Sequence, residues 1–137
     1  MSLARDRGIA VTILGRAPAG CASDTGVRSI PWRLDGPVPD SAFTPFGPAG
    51  KPAALIHLAH DWAADSDLAR APINVDGLAR ILAATRRVGP IRVVVASSQS
   101  ARPDALNQYG RAKQAAEQLL RLPAESAVRL GLVYGGA

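Results

Sequence analysis

The sequence predicts an α/β fold built on a parallel sheet. Short apolar runs of strand length occur at residues 9–14, 53–59, 91–96 and 127–134. Segments with the apolar periodicity of a helix, at 74–88 and 109–121, lie between the later runs. Strands that alternate with helices are joined by crossover connections, and a crossover leaves its two strands parallel. The 137 residues, 47% apolar and 20% charged, make one domain or part of one, with enough apolar side chains for a core.

In chain order, Leu3 to Arg7 read as the last turn of a helix stopped by Gly8, because glycine tolerates the positive φ found just past a helix end. Ile9 to Leu14 are the first strand. Val27 to Leu34 are a weaker strand, placed at an edge because Pro31 cannot donate to a ladder. Residues 36–52 hold five prolines and three glycines and read as a long loop. Ala53 to Ala59 are apolar almost throughout, as expected of a strand covered on both faces. In the helix at 74–88, Leu78, Ile81, Leu82 and Thr85 share a face, Arg80, Arg86 and Arg87 lie off it, and Gly89-Pro90 ends it. Ile91 to Ala96 form the next strand. The helix from Tyr109 to Arg121 buries Ala112, Ala116, Leu119 and Leu120 and stops at Pro123. Ala127 to Tyr134 form the last strand.

Several function classes are set aside at this level. No apolar run is long enough to span a bilayer, and Arg5, Asp6 and Arg7 interrupt any apolar leader. The lone Cys21 rules out an internal disulfide and a cysteine-clustered zinc site, and a reducing, cytoplasmic setting is expected. With two histidines and no matching carboxylate spacing, no metal site is expected. The formal charge of +5 invites nucleic acid, but the arginines are scattered, only Arg86 and Arg87 are adjacent, and no aromatic residues interleave with them.

Ligands of a parallel α/β sheet collect at the carboxyl ends of its strands. Ser97 and Ser98 follow the strand 91–96 there, His57 and His60 flank the end of the strand 53–59, and Tyr109 and Lys113 open the next helix. A spacing of four puts Tyr109 and Lys113 on one helix face. A tyrosine has an ordinary pKa of about 10 and is a poor acid or base at neutral pH. A neighbouring ammonium favours the phenolate. A hydroxyl from Ser98 would orient a carbonyl or alcohol beside it, which makes a proton-transfer site.

The chain resembles the extended short-chain dehydrogenase/reductase family, of the NAD-dependent epimerase/dehydratase type. The matching segments are Ala-Leu-Ile-His-Leu-Ala-His (54–60), Asn-Val-Asp-Gly-Leu-Ala-Arg-Ile-Leu-Ala-Ala (74–84), Val-Val-Val-Ala-Ser-Ser (93–98), Tyr-Gly-Arg-Ala-Lys (109–113) and Arg-Leu-Gly-Leu-Val-Tyr-Gly (129–135). They follow the family's order over residues 53–135, and residues 8–16 look like its second strand. The resemblance implies an incomplete Rossmann-like doubly wound parallel sheet. It implies Tyr109 as catalytic acid/base, Ser98 on the reacting oxygen with Ser97 as runner-up and Ser100 more distant, and Lys113 on the nicotinamide ribose. It places Leu58, Ala59 and His60 beside the cofactor through their backbone, Asn74 as a brace at a helix start, and Asp35 near the adenine or as an ordinary turn residue. His57 reads as a packed strand residue. Arg16, with no acid beside it, leans the NAD or NADP choice toward NADP.

The family's first strand and its glycine-rich phosphate turn are not in the sequence, which has no G-x-G-x-x-G. The spacing puts the motif upstream of Met1, so residues 1–137 are expected to be a partial NAD(P)-binding domain, cut at both ends and without a substrate-binding region. Without a central first strand the sheet either closes up or splits and exposes two edges. The implied activity is epimerase, dehydratase or reductase chemistry on a sugar-nucleotide-like or carbonyl/alcohol substrate, weak or lost in this chain alone. The alternative is a non-catalytic remnant that binds a partner chain or self-associates.

Overall fold

The computed structural model describes residues 7–16, 26–45, 50, 52–67 and 70–131. Cys21, residues 3–6 of the expected first helical turn and residues 132–134 of the expected last strand lie outside them. The elements are β1 (Val11–Gly15), β2 (Val27–Pro31), β3 (Ala54–His57), α1 (Ile73–Val88), β4 (Arg92–Ser98), α2 (Gln108–Gln118) and β5 (Glu125–Leu130). Every strand that the sequence predicts is present. β2 ends at Pro31 rather than Leu34, where β1 also ends, and the Trp32 N–H makes the last bond to the Gly15 carbonyl at 2.8 Å. α2 ends at Gln118 rather than Arg121, and the chain then turns through a cis Leu122–Pro123 bond. The loop at 36–52 contains one 3-10 turn, Asp40–Phe43, whose Ala42 is buried.

All strand pairs are parallel, and the sheet is split. β1 pairs with β2, from Val11 opposite Val27 to Gly15 opposite Pro31. β3, β4 and β5 form a second sheet with β4 in the middle. Of the two outcomes expected above, closing up or splitting, the described strands show the split.

The helices cover one face of the three-stranded sheet. Val93 and Val95 of β4 point into that face, each 1% exposed, against Leu78, Ile81 and Leu82 of α1 and Ala116 of α2. The opposite face carries Ile56 and Leu58, each 69% exposed, with Val128 and Leu130. The expectation that residues 53–59 are covered on both faces is therefore corrected. β3 is an edge strand with one face bare, and its apolar outward residues have no layer above them among the described residues.

Helix α1 joins the two sheets. Its apolar stripe meets Trp32, just past β2, in the same core. Its Gly77 lies against Leu34 so closely that an added Cβ would sit 2.6 Å from Leu34 Cδ2 and 3.0 Å from the Leu34 carbonyl oxygen. Arg80 donates to that same carbonyl. At its far end, Arg86 donates to both carboxylate oxygens of the buried Glu125 at 2.7 and 2.5 Å, and to the Leu119 carbonyl at 2.9 Å. The Arg86 guanidinium holds the Glu125 carboxyl below its usual range.

Two outcomes follow for chemical unfolding. Gly77→Ala destabilises the chain, although alanine in a free helix is better than glycine by about 1 kcal/mol, because the new methyl meets Leu34. Arg86→Ala lowers stability at neutral pH by about 3 kcal/mol, because the buried Glu125 loses its guanidinium partner and keeps only the Arg121 N–H. Unchanged denaturation midpoints in both variants would contradict this description of α1.

Candidate active site

The carboxyl ends of β1, β2 and β3 converge on a cleft of about 200 Å³. Leu14, Gly15 and Arg16 line it from β1, Trp32 to Asp35 from β2, Ala59 to Asp61 from β3, and Ile73 from the start of α1. The cleft therefore lies at the mouth of the gap between the two sheets. Arg16 and Asp35 are both on its wall. Asp35 is an exposed residue paired with Arg33 at 3.1 Å, and that hydrogen bond holds its carboxyl below the ordinary range.

Tyr109 and Lys113 sit one turn apart on α2. The Asn107 side chain caps the helix by accepting from the Gly110 N–H at 2.7 Å. A Cβ on Gly110 would lie 2.5 Å from the Ser100 carbonyl oxygen. Only glycine lets the start of α2 press onto the loop that follows β4. Lys113 is buried, with its Nζ donating to the Ala96 carbonyl at 2.9 Å and lying 5.7 Å from the centre of the Tyr109 ring. Burial lowers the Lys113 pKa from its ordinary value, and the Asp65 carboxylate opposes that shift.

The serines divide by the pleat of β4. Ser97 faces the helices, is buried, and donates to Glu117 at 2.6 Å. Glu117 also holds Arg129 of β5, whose guanidinium keeps its carboxyl below the usual range. Ser97 is thus tied into packing, and its place as runner-up is not supported. Ser98 faces the other way and shares a 2.9 Å hydrogen bond with Ser100. Leu58 is exposed, while Ala59 and His60 line the cleft.

Asn74 clamps the loop after β3. Its Oδ1 accepts from the Asp61 N–H at 2.7 Å and its Nδ2 donates to the Asp61 carbonyl at 3.1 Å. Asp61 in turn caps the 3-10 turn Trp62–Asp65 and pairs with Arg70 at 2.7 Å, which lowers its pKa. His60 is fixed through Nε2 by Asp65, at 3.0 and 3.2 Å. His57 is buried on β3, and burial, with the Lys113 and His60 charges behind it, pushes its pKa down to about 4.

Two residues that the sequence reading missed complete the site. Trp62 stacks on Tyr109, with ring centres 5.3 Å apart and planes at 14°. His60 meets both rings edge-on, at 4.6 Å from Trp62 and 5.0 Å from Tyr109. Asp65 is the other. A signal was available in Asp-Trp-Ala-Ala-Asp (61–65), where a capping acid precedes a tryptophan in a chain poor in aromatics. Among the described residues no group of three or more metal-ligating side chains occurs, and no helix is long and apolar enough to cross a membrane.

Parallel strands split into two sheets, with helices over one face, make a partial Rossmann-like fold. No family model and no curated protein matches the sequence. Solved structures do. WbmG from Bordetella bronchiseptica, in complex with NAD and UDP, is 19% identical with a TM-score of 0.70, over 93% of this chain and 47% of that one. MoeE5, in complex with UDP-glucose and NAD, is 25% identical with a TM-score of 0.68, over 93% and 48%. A short-chain dehydrogenase/reductase superfamily protein from Agrobacterium tumefaciens, with NAD bound, is 26% identical with a TM-score of 0.60, over 93% and 43%. The chain has the fold of the short-chain dehydrogenase/reductase enzymes, as the matching segments over 53–135 imply, and it spans slightly under half the length of these three.

His57 gives the site a pH signature. Its folded pKa, about 4, lies below its ordinary 6.5, so the unfolded chain takes up the proton first. Stability is full above pH 6.5 and falls as the pH drops toward 4. The loss approaches about 3 kcal/mol. Thermal melts between pH 7 and 4.5 are expected to fall in the wild type and to flatten in His57→Gln. Equal slopes in the two would contradict a neutral, buried His57.

Proposed function

We propose that this chain carries the catalytic half of a nicotinamide-dependent oxidoreductase that works on the sugar of a sugar nucleotide by epimerase, dehydratase or reductase chemistry. One observation carries the reading. Tyr109 and the buried Lys113 lie together at the carboxyl end of a parallel sheet, on a fold whose solved neighbours hold NAD with UDP or UDP-glucose.

The cleft fits part of a dinucleotide. Its volume of about 200 Å³ is less than the ~300 Å³ at which ligand pockets usually begin. The side chains on it suit an adenosine end: Arg16 and Asp35 on the rim, Ala59 and His60 on the wall, with Leu58 just before them. Arg16 favours a 2′-phosphate, hence NADP over NAD. Lys113 has three donors, one of them given to Ala96, and would hold the nicotinamide ribose. When bound, the cofactor supplies hydride transfer.

The protein's own groups handle the proton. Tyr109 gives or takes it at its phenolic oxygen, with the Lys113 Nζ 5.7 Å from the centre of its ring. The Asp65 carboxylate counters the desolvation of Lys113 and so helps keep that ammonium charged. Ser98 orients the reacting oxygen. Asn74 acts through the Asp61 backbone and keeps the loop beside Tyr109 in place.

The test is hydride exchange between labelled UDP-glucose and NAD⁺ or NADP⁺. Tyr109→Phe is expected to lower the rate 10²- to 10⁴-fold with cofactor affinity retained. A Tyr109→Phe variant as fast as the wild type would remove the acid/base role.

A second reading, a non-catalytic piece that self-associates or pairs with another chain, is favoured by the bare sheet face at Ile56, Leu58, Val128 and Leu130. Sedimentation decides it. Under this reading the chain associates, and Ile56→Glu with Leu58→Glu returns it to monomer. A wild-type monomer at all concentrations would count against it.

A further inference from the structure

Trp62 is 67% exposed, yet it is not loosely held. Its turn is pinned by the buried Ala64, by the Asp61 cap on Ala63 at 3.0 Å, and by the hold of Asn74 and Arg70 on Asp61. An exposed tryptophan alone means little, since scattered surface apolar residues are normal. This one lies on the ring of the tyrosine read as the proton-transfer group. Nearly parallel rings with centres 5.3 Å apart are slid past each other. At an ordinary stacking gap the slide is roughly 4 Å. The indole overhangs Tyr109 and leaves a step beside it rather than a lid over it.

The polar groups around that step choose the ligand. Asp61 and Asp65 bracket the turn, and His60 stands edge-on to both rings. The carboxylate oxygens of Asp61 and Asp65 are held by the Ala63 N–H, Arg70 and His60, and each keeps a second lone pair that can accept from a hydroxyl. An aromatic face with hydroxyl acceptors at its rim suits a pyranose, whose C–H face packs on the ring while its hydroxyls reach the rim.

We propose that Trp62 is the sugar-binding wall of this site, taking the apolar face of the pyranose of a sugar nucleotide and setting it beside Tyr109. This rests on the function proposed above and adds a specificity-determining residue to it.

Calorimetry with UDP-glucose, UDP and NAD⁺ as probes, on the wild-type chain, Trp62→Ala and Trp62→Phe, tests it. Trp62→Ala is expected to weaken UDP-glucose about tenfold, to leave UDP and NAD⁺ unchanged, and to melt like the wild type because the side chain is mostly exposed. Trp62→Phe restores most of the UDP-glucose affinity. UDP-glucose also changes the tryptophan fluorescence of the wild type, and the change vanishes in Trp62→Phe, because the remaining Trp32 is buried. Equal UDP-glucose binding by wild type and Trp62→Ala would overturn the sugar wall and leave the parent function standing. A wild type that binds NAD⁺ but no UDP-glucose would overturn the sugar wall and the sugar-nucleotide substrate of the parent reading, and leave its cofactor site. A wild type that binds neither NAD⁺ nor UDP-glucose would overturn both.

Discussion

Helix α1 is what the described structure depends on. Among the described residues no strand joins β1 to β3, and the two sheets are held through α1: its Leu78, Ile81 and Leu82 stripe, the close approach of Gly77 to Leu34, and the Arg80 contact with the Leu34 carbonyl. The same helix begins with Asn74, which holds the loop carrying His60 and Trp62. Its other end holds Glu125 at the start of β5. One helix therefore sets the spacing of the sheets, the cleft at their mouth and one wall of the site.

The charge arrangement at the site follows from the one-sided cover of the sheet. Lys113 and His57 lie on the covered side, where desolvation lowers the pKa of both. His57 stays neutral and adds no positive charge beside Lys113 near neutral pH. Asp65 supplies the opposing negative charge and also fixes His60. Two residues far from the phenol in sequence thus govern the environment of Lys113.

Much of this was legible in the sequence. The periods of α1 and α2 and the apolar runs gave the element order, and a spacing of four gave Tyr109 and Lys113. The absence of G-x-G-x-x-G left two outcomes open, a closed or a split sheet, and the described strands form two sheets. The bare face of β3 was not legible, because Ala-Leu-Ile-His-Leu reads alike whether one face or both are covered. Nor was Trp62, since its meeting with Tyr109 crosses 47 positions (109 less 62) and depends on a turn set by Asp61 and Asn74. The division of labour between Ser97 and Ser98 was hidden until the pleat of β4 assigned each a face.

The cofactor site proposed above lies beside α1 and α2, in a sequence with no G-x-G-x-x-G. The most direct measurement is a thermal melt of the 137-residue chain with and without NAD⁺ and NADP⁺, alongside Lys113→Met. A cofactor that binds the folded chain raises the transition, by about 2.7 kcal/mol of stability at a hundredfold excess over Kd. The account predicts a cooperative transition raised by at least one cofactor in the wild type and unmoved in Lys113→Met. A transition indifferent to both cofactors in the wild type would contradict it.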